Sequence, residues 1–255
     1  MEDILNLILN NFLNGKDVLK CMSVNKTFYK LCSSESLWKN LCMIDYKNTK
    51  IFKDTYHKTY KLCFKLTKMK KWVPMNIDGM YSKQMIGMGR KNRTFIPNEI
   101  GQLHNLVHFD MFSNRITSVP TQLGKLHNLK ILHLSENQLV NIPTEIGKLH
   151  NLEELYIFSN KLTSIPTEIG QLSNLCRLEL FRNKLETIPT EISKLQELQI
   201  LFLDNNKLTT IPTELGGLLK LKKLNLSFNE LRVLPTEIST LPGLLLDIRY
   251  NPCSM

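Results

Sequence analysis

Along most of the chain the apolar positions obey one rule: Leu-x-x-Leu-x-Leu-x-x-Asn-x-Leu, then x-x-Ile-Pro-x-x-Ile-Gly-x-Leu. Residues 152–172 show it whole, with Leu152, Leu155, Ile157, Asn160, Leu162, Ile165, Pro166, Ile169, Gly170 and Leu172. Prolines recur at 97, 120, 143, 166, 189, 212 and 235, each step being 23 residues. Asparagines keep the same step at 114, 137, 160, 183, 206 and 229. The central alternation predicts a short strand with one buried face. The other leucines and isoleucines point into the same interior. One period cannot bury its apolar side alone, so successive periods must stack and share a continuous core. The asparagine stands where the chain turns off the strand, and its amide both donates and accepts, which suits backbone groups that a tight turn leaves inside. The proline fixes φ and removes a donor on the opposite side. With 23 residues per coil, that side is expected to be extended or 3-10 rather than α-helical.

The pattern resembles the leucine-rich-repeat family in its regular 23-residue form, over residues 96–255, as seven repeats. The resemblance implies a right-handed solenoid whose parallel strands line a concave face. The ends degenerate, as terminal coils do. Val73, Pro74, Ile77 and Met80 keep the phase, but Met85, Ile86 and Met88 replace leucines and Asn92 falls one place late, so 73–95 is read as an irregular first repeat. The last coil loses one residue between Leu244 and Leu246 and stops at Asn251-Pro252.

Residues 1–45 follow a different rule. Ile4, Leu5, Ile8, Leu9, Phe12 and Leu13 have helical spacing, Asn14-Gly15 ends that helix, and Asp17 opens another. Val18, Leu19, Met22, Val24, Phe28 and Leu31 continue the apolar pattern, and Leu37-Trp38 with Leu41-Cys42 forms a third block. Three short helices in so few residues make a small core that gains from a partner. The order and spacing of the three blocks resemble an F-box, although the family's usual Leu-Pro pair is absent ahead of Asp3. The resemblance implies docking on the Skp-type adaptor of a cullin ubiquitin ligase, with Ile4, Leu5, Ile8, Leu9, Val24 and Trp38 in the adaptor-facing or supporting apolar set. Between the two parts, Tyr56, Tyr60 and Phe64, with Leu62, Leu66 and Met69, predict a helix over residues 46–72, and Lys58, Lys61, Lys65, Lys68, Lys70 and Lys71 are expected largely on its exposed sides: a solvated basic linker, or else a patch for an acidic partner, RNA or an anionic membrane surface.

Charge changes the picture only locally. Residues 47–95 hold thirteen Lys/Arg against two acids, net +11, whereas 96–255 hold fifteen against sixteen, net −1. The overall +10 therefore belongs to the middle of the chain. It does not argue for nucleic acid as the partner of the repeats. No apolar run approaches the length of a membrane span, and the acidic start Met1-Glu2-Asp3 is unlike a signal peptide. The six cysteines form no Cys-x-x-Cys pair and are expected to be reduced and buried, in a cytoplasmic or nuclear protein. Histidines 104, 127 and 150 occupy one position in three successive periods and are read as repeated surface residues, not metal ligands. No phosphate loop, nucleophile elbow or zinc motif is present, so no cofactor, metal or catalytic residue is assigned and the chain is not expected to be an enzyme.

What remains is a surface. The non-leucine strand positions are expected to line the concave face, and they include Phe112, Tyr156, Phe158, Phe181 and Phe202. Phe158 and Phe181 are equivalent positions in adjacent coils, about 5 Å apart at strand spacing. Arg177 and Glu179 lie beside them and would add specificity. Such a patch is expected to bind a target protein. Joined to the F-box resemblance, it suggests the substrate-recognition subunit of a ubiquitin ligase, monomeric apart from its adaptor. Two other readings stay open: a signalling scaffold whose N-terminus only caps the repeats, and a decoy that occupies the adaptor without delivering a target. Frequent Lys, Asn and Ile hint at an AT-rich genome; for a viral protein, the setting would be the host cell.

Overall fold

The computed structural model describes residues 83–253 together with Lys58, Lys61, Leu62, Met69 and Trp72. Chain contacts divide it into two compact units, Met1–Ser82 and Lys83–Met255. In the first, Lys58, Lys61, Leu62 and Met69 are helical; the two lysines are exposed, while Leu62, Met69 and Trp72 are buried. The predicted F-box helices lie outside the described residues.

The second unit is a leucine-rich-repeat solenoid. Its eight strands are β1 (Met85–Gly87), β2 (His108–Asp110), β3 (Ile131–His133), β4 (Glu154–Tyr156), β5 (Arg177–Glu179), β6 (Ile200–Phe202), β7 (Lys223–Asn225) and β8 (Leu245–Asp247). They form one parallel sheet in sequence order. The register advances by one whole period per strand, so His108, Ile131, Glu154, Arg177, Ile200 and Lys223 form one row across the sheet. The deletion before Leu246 is absorbed without loss of register: Leu224 pairs with Leu246, a step of 22. β1 brings the irregular coil into the same sheet, with Ile86 opposite Phe109.

Each strand is three residues long, and in β1–β7 its central side chain is buried. Leu132, Leu155, Leu178 and Leu201 are fully buried. In the coil of β3 the core is completed by Leu134, Leu139, Ile142, Ile146, Leu149 and Leu152. Each such side chain contributes about 1.5–3 kcal/mol relative to exposure. In the coil of β2, Phe109 and Met111 replace the strand leucines and are just as buried.

Opposite the sheet, six five-residue 3-10 turns run from Asn98–Gln102 to Thr213–Gly217. Each starts after its proline: Pro143, at φ −71°, accepts a bond from Ile146 N–H at 3.0 Å. The glycine in these turns is required by close approach. A Cβ on Gly124 would lie 2.5 Å from the Glu145 carbonyl of the next coil. The final coil departs from expectation, since Thr236–Ser239 is α-helical, at a position with a coil on one side only among the described residues.

The asparagines do what the pattern predicts. Asn137 donates through Nδ2 to the carbonyls of Met111 in the preceding coil (2.9 Å), Leu134 (3.0 Å) and Ser135 (3.1 Å). Its Oδ1 accepts from Ile116 N–H at 3.0 Å. The same set recurs at Asn160, Asn183, Asn206 and Asn229. At the irregular end Asn114 accepts from both Lys91 and Arg93 N–H, so the first coil joins the ladder although Lys91 stands where its asparagine should be.

Candidate functional site

The strand face carries three outward rows. One is Asp110, His133, Tyr156, Glu179, Phe202 and Asn225. A second starts two residues later in each coil: Phe112, Ser135, Phe158, Phe181, Asp204 and Ser227. The first and third strand residues are mostly half-buried, so they are held in place yet reachable.

Aromatic rings cover the sheet over β2–β5. Phe158 and Phe181 stack with centroids 4.3 Å apart and planes 8° from parallel. Phe112 lies 6.4 Å from Phe158. Beneath them His133 contacts Phe112 at 4.9 Å, Tyr156 at 5.1 Å and Phe158 at 5.9 Å. Such ring pairs add about 0.5–1.5 kcal/mol each beyond their burial. The reason they meet is Ser135: it is fully buried, leaves room above it, and its Oγ accepts from Phe158 N–H at 3.1 Å.

Charges are tied into this surface. Arg177 donates from Nε to Glu179 Oε1 at 2.6 Å and sits 5.5 Å from the Tyr156 ring centroid. Tyr156 donates to Glu154 Oε2. Burial, then the bond to Glu154, pushes the Tyr156 phenol up to about 12. Burial also lowers the His133 imidazole below its ordinary value, against the pull of Asp110, whose Oδ1 is 3.8 Å from Nδ1. Nε2 of His133 is buried without a hydrogen-bond partner.

Phe112, Tyr156, Phe158, Arg177, Phe181 and Phe202 all lie half-buried on the strand face. Glu179 does not present itself to a partner: its side chain is only 7% exposed and is spent on Arg177. Phe202 stands apart from the ring cluster, in an open depression with Lys223, Asn225, Leu245 and Asp247. His133 stands on the expected strand face, in the row of Tyr156, but sequence assigns it no binding role, because its residue type does not show that rings pack against it. Ser135 was missed because a small residue gives no signal of what closes over it. Ile4, Leu5, Ile8, Leu9, Val24 and Trp38 lie outside the described residues.

Cys176 and Cys253 are half-exposed free thiols rather than buried ones, because both stand at solvent-side positions of their coils. Burial and the neighbouring Glu153 carboxylate push the Cys176 thiol up, which disfavours the nucleophilic thiolate. His104, His127 and His150 are exposed, and each Nδ1 faces the carbonyl of Lys125, Lys148 or Gln171 in the next coil. Among the described residues no three His, Cys, Asp or Glu side chains group to hold a metal. None of the helices there is long and apolar enough to cross a membrane.

Comparison with known proteins agrees with both halves. Residues 75–182 match the family description "leucine-rich repeat region", and residues 197–218 and 220–241 match "leucine rich repeat". Residues 2–44 match "F-box-like", a span that contains all six adaptor candidates. No curated protein matches the chain in sequence. Among solved structures, a leucine-rich-repeat protein of Leptospira interrogans is 34% identical over 73% of this chain and 52% of its own, with a TM-score of 0.60. A plant peptide hormone receptor, RGFR1, solved in complex with RGF2, is 34% identical over 61% of this chain and 26% of its own, with a TM-score of 0.57. The chain thus spans about half the length of the first and a quarter of the second.

Proposed function

The chain belongs to the F-box and leucine-rich-repeat proteins, and from that premise we propose that it is the substrate-recognition subunit of a Skp/cullin/F-box-type ubiquitin ligase. The coarser role, protein interaction of the F-box type, follows from the two matched regions. The finer reading is carried by one observation: an F-box-like segment at residues 2–44 precedes a strand face on which Phe112, Phe158 and Phe181 form a partly exposed aromatic ridge. Large rigid aromatics held by a regular scaffold are what hot spots are made of.

In this reading the chain performs no chemistry. Ile4, Leu5, Ile8, Leu9, Val24 and Trp38 hold the adaptor. The strand face holds the target. The gain is proximity: target lysines are raised to a high effective concentration at a transferase that other subunits supply. The work is done in the cytoplasm, with the protein monomeric apart from its adaptor.

The test is co-purification of the full chain with a Skp-type adaptor, beside the Leu5→Asp/Trp38→Ala variant. A one-to-one complex lost in the variant supports the reading. A folded chain that binds no adaptor sinks it and leaves a repeat scaffold. An adaptor complex that ubiquitinates nothing in extracts of its own cells points to the decoy.

A further inference from the structure

The sign of charge on the strand face narrows the target. The aromatic ridge Phe112–Phe158–Phe181 continues along its row into Asp204, and Asp110 stands beside its other end, two residues before Phe112. Glu154 lies one row further out, behind Tyr156, from whose hydroxyl it accepts a hydrogen bond. Among the described residues no Lys or Arg lies within 4.0 Å of Asp110, Glu154 or Asp204. Their bonds are local: Asp110 accepts from Phe112 N–H at 2.7 Å, Glu154 from the Tyr156 hydroxyl, and Asp204 from Asn205 Nδ2 at 3.0 Å. Each keeps acceptor capacity for an incoming donor.

Two of the cations on this stretch are already occupied, and a third, the exposed Arg182, lies close enough to Asp204 for its field to be felt there. Arg177 is bound to Glu179 and covers Tyr156, and Arg90 covers Phe112 at 5.5 Å. Both show that these ring faces hold guanidinium groups. The stacked pair Phe158–Phe181 carries no such cover among the described residues. Burial raises the Asp204 carboxyl in spite of the field of Arg182, so an arriving cation would relieve it. The next strand cation, Lys223, lies beyond β6.

We propose that the face over β2–β6 seats an extended basic segment of the target: an apolar side chain on Phe158–Phe181, flanked by two cations that meet Asp110 and Asp204. Those two acids stand four coils apart, about 19 Å at strand spacing. An extended segment covers that distance in about six residues at roughly 3.3 Å each. Phosphate-bearing or acidic partners would meet three carboxylates instead. This rests on the reading that the strand face holds the target, and its test does not involve the adaptor.

The probe is a fluorescein-labelled peptide of glycine and serine with arginines at its second and eighth positions and tryptophan at its fifth. Its polarisation is titrated with the full chain. A matched peptide carries glutamate in place of both arginines. The arginine peptide should bind saturably and about tenfold or more tighter than the glutamate peptide, an advantage that salt near 0.5 M should erode. Asp110→Asn/Asp204→Asn should remove most of that preference while leaving the circular dichroism unchanged. Equal or tighter binding of the glutamate peptide overturns the proposal, as does failure of both to bind. If both bind equally and Phe158→Ala/Phe181→Ala abolishes both, the face is a docking surface and only its basic specificity falls.

Discussion

Phe112 and Phe158 belong to coils two apart, yet their ring centroids are 6.4 Å from each other, because the residue between them in the row is the buried Ser135. The ridge is therefore made by a small residue as much as by large ones. Ser135→Leu should force the two rings apart and remove the acceptor for Phe158 N–H. The expected cost is about 1–3 kcal/mol, the range for overpacking a filled site, read by urea denaturation. A variant as stable as the parent would mean the rings are not held by the gap.

The inner and outer asparagines give a second contrast. Asn137 satisfies three carbonyls and one N–H inside the coil. Asn151 makes one exposed bond, to the His127 carbonyl at 2.8 Å. Asn137→Ala should cost on the order of 3–5 kcal/mol, since each orphaned buried group costs about 1–3. Asn151→Ala should cost at most about 1 kcal/mol. Thermal melts of the pair, scaled by the unfolding entropy, check the ratio.

Arg177 and Glu179 are predicted to be coupled. Arg177→Met leaves the buried Glu179 carboxylate without its partner and should destabilise by about 1–3 kcal/mol. Replacing both residues by leucine should recover most of that loss, as removal of both partners does elsewhere. A double-mutant cycle reads the coupling; additive effects would free both residues for a target.

Acid should weaken the ring cluster through His133. Its folded pKa is lowered, chiefly by burial, so between the folded value and the ordinary 6.5 the unfolded chain binds more protons. Stability must then fall as pH drops below about 6.5. Asp110, Glu179 and Glu136 oppose this shift and His108 adds to it. His133→Phe should flatten the slope of Tm between pH 7 and 5. An unchanged slope would assign the acid sensitivity to other groups.

The strands, the outer turns and the asparagine ladder were legible because each is written as a period, and a repeat seven times over leaves little else to fit. The backbone at the residue before each ladder asparagine was not. Ser113, Glu136, Ser159, Arg182, Asn205, Phe228 and Tyr250 all have φ between 52° and 59°. Residue types this varied carry no common signal, since the coil imposes the left-handed turn and any tolerant side chain obeys. Arg182→Val, β-branched at such a position, should cost about 1–3 kcal/mol in the same denaturation assay. Of the site, the aromatic residues were visible as types. What escaped was which neighbours had already claimed a charge: Glu179 reads as exposed by position, and only its bond to Arg177 and its burial remove it. The outer bonds from Asn128, Asn151 and Asn174 to histidine carbonyls escaped for a similar reason, since they join residues 24 apart that look like surface filler.

The whole-period register has a consequence for how the protein changes over generations. A cut of one full period, for instance residues 144–166, would rejoin strands, prolines and ladder asparagines to neighbours of the same kind. Most cuts of another length inside the array would turn leucines outward, although the last coil has absorbed the loss of a single residue. Such a gene can gain or lose coils by slippage without passing through an unfolded product. The length of the ridge, and so the stretch of partner it spans, would then change in quanta of a single coil.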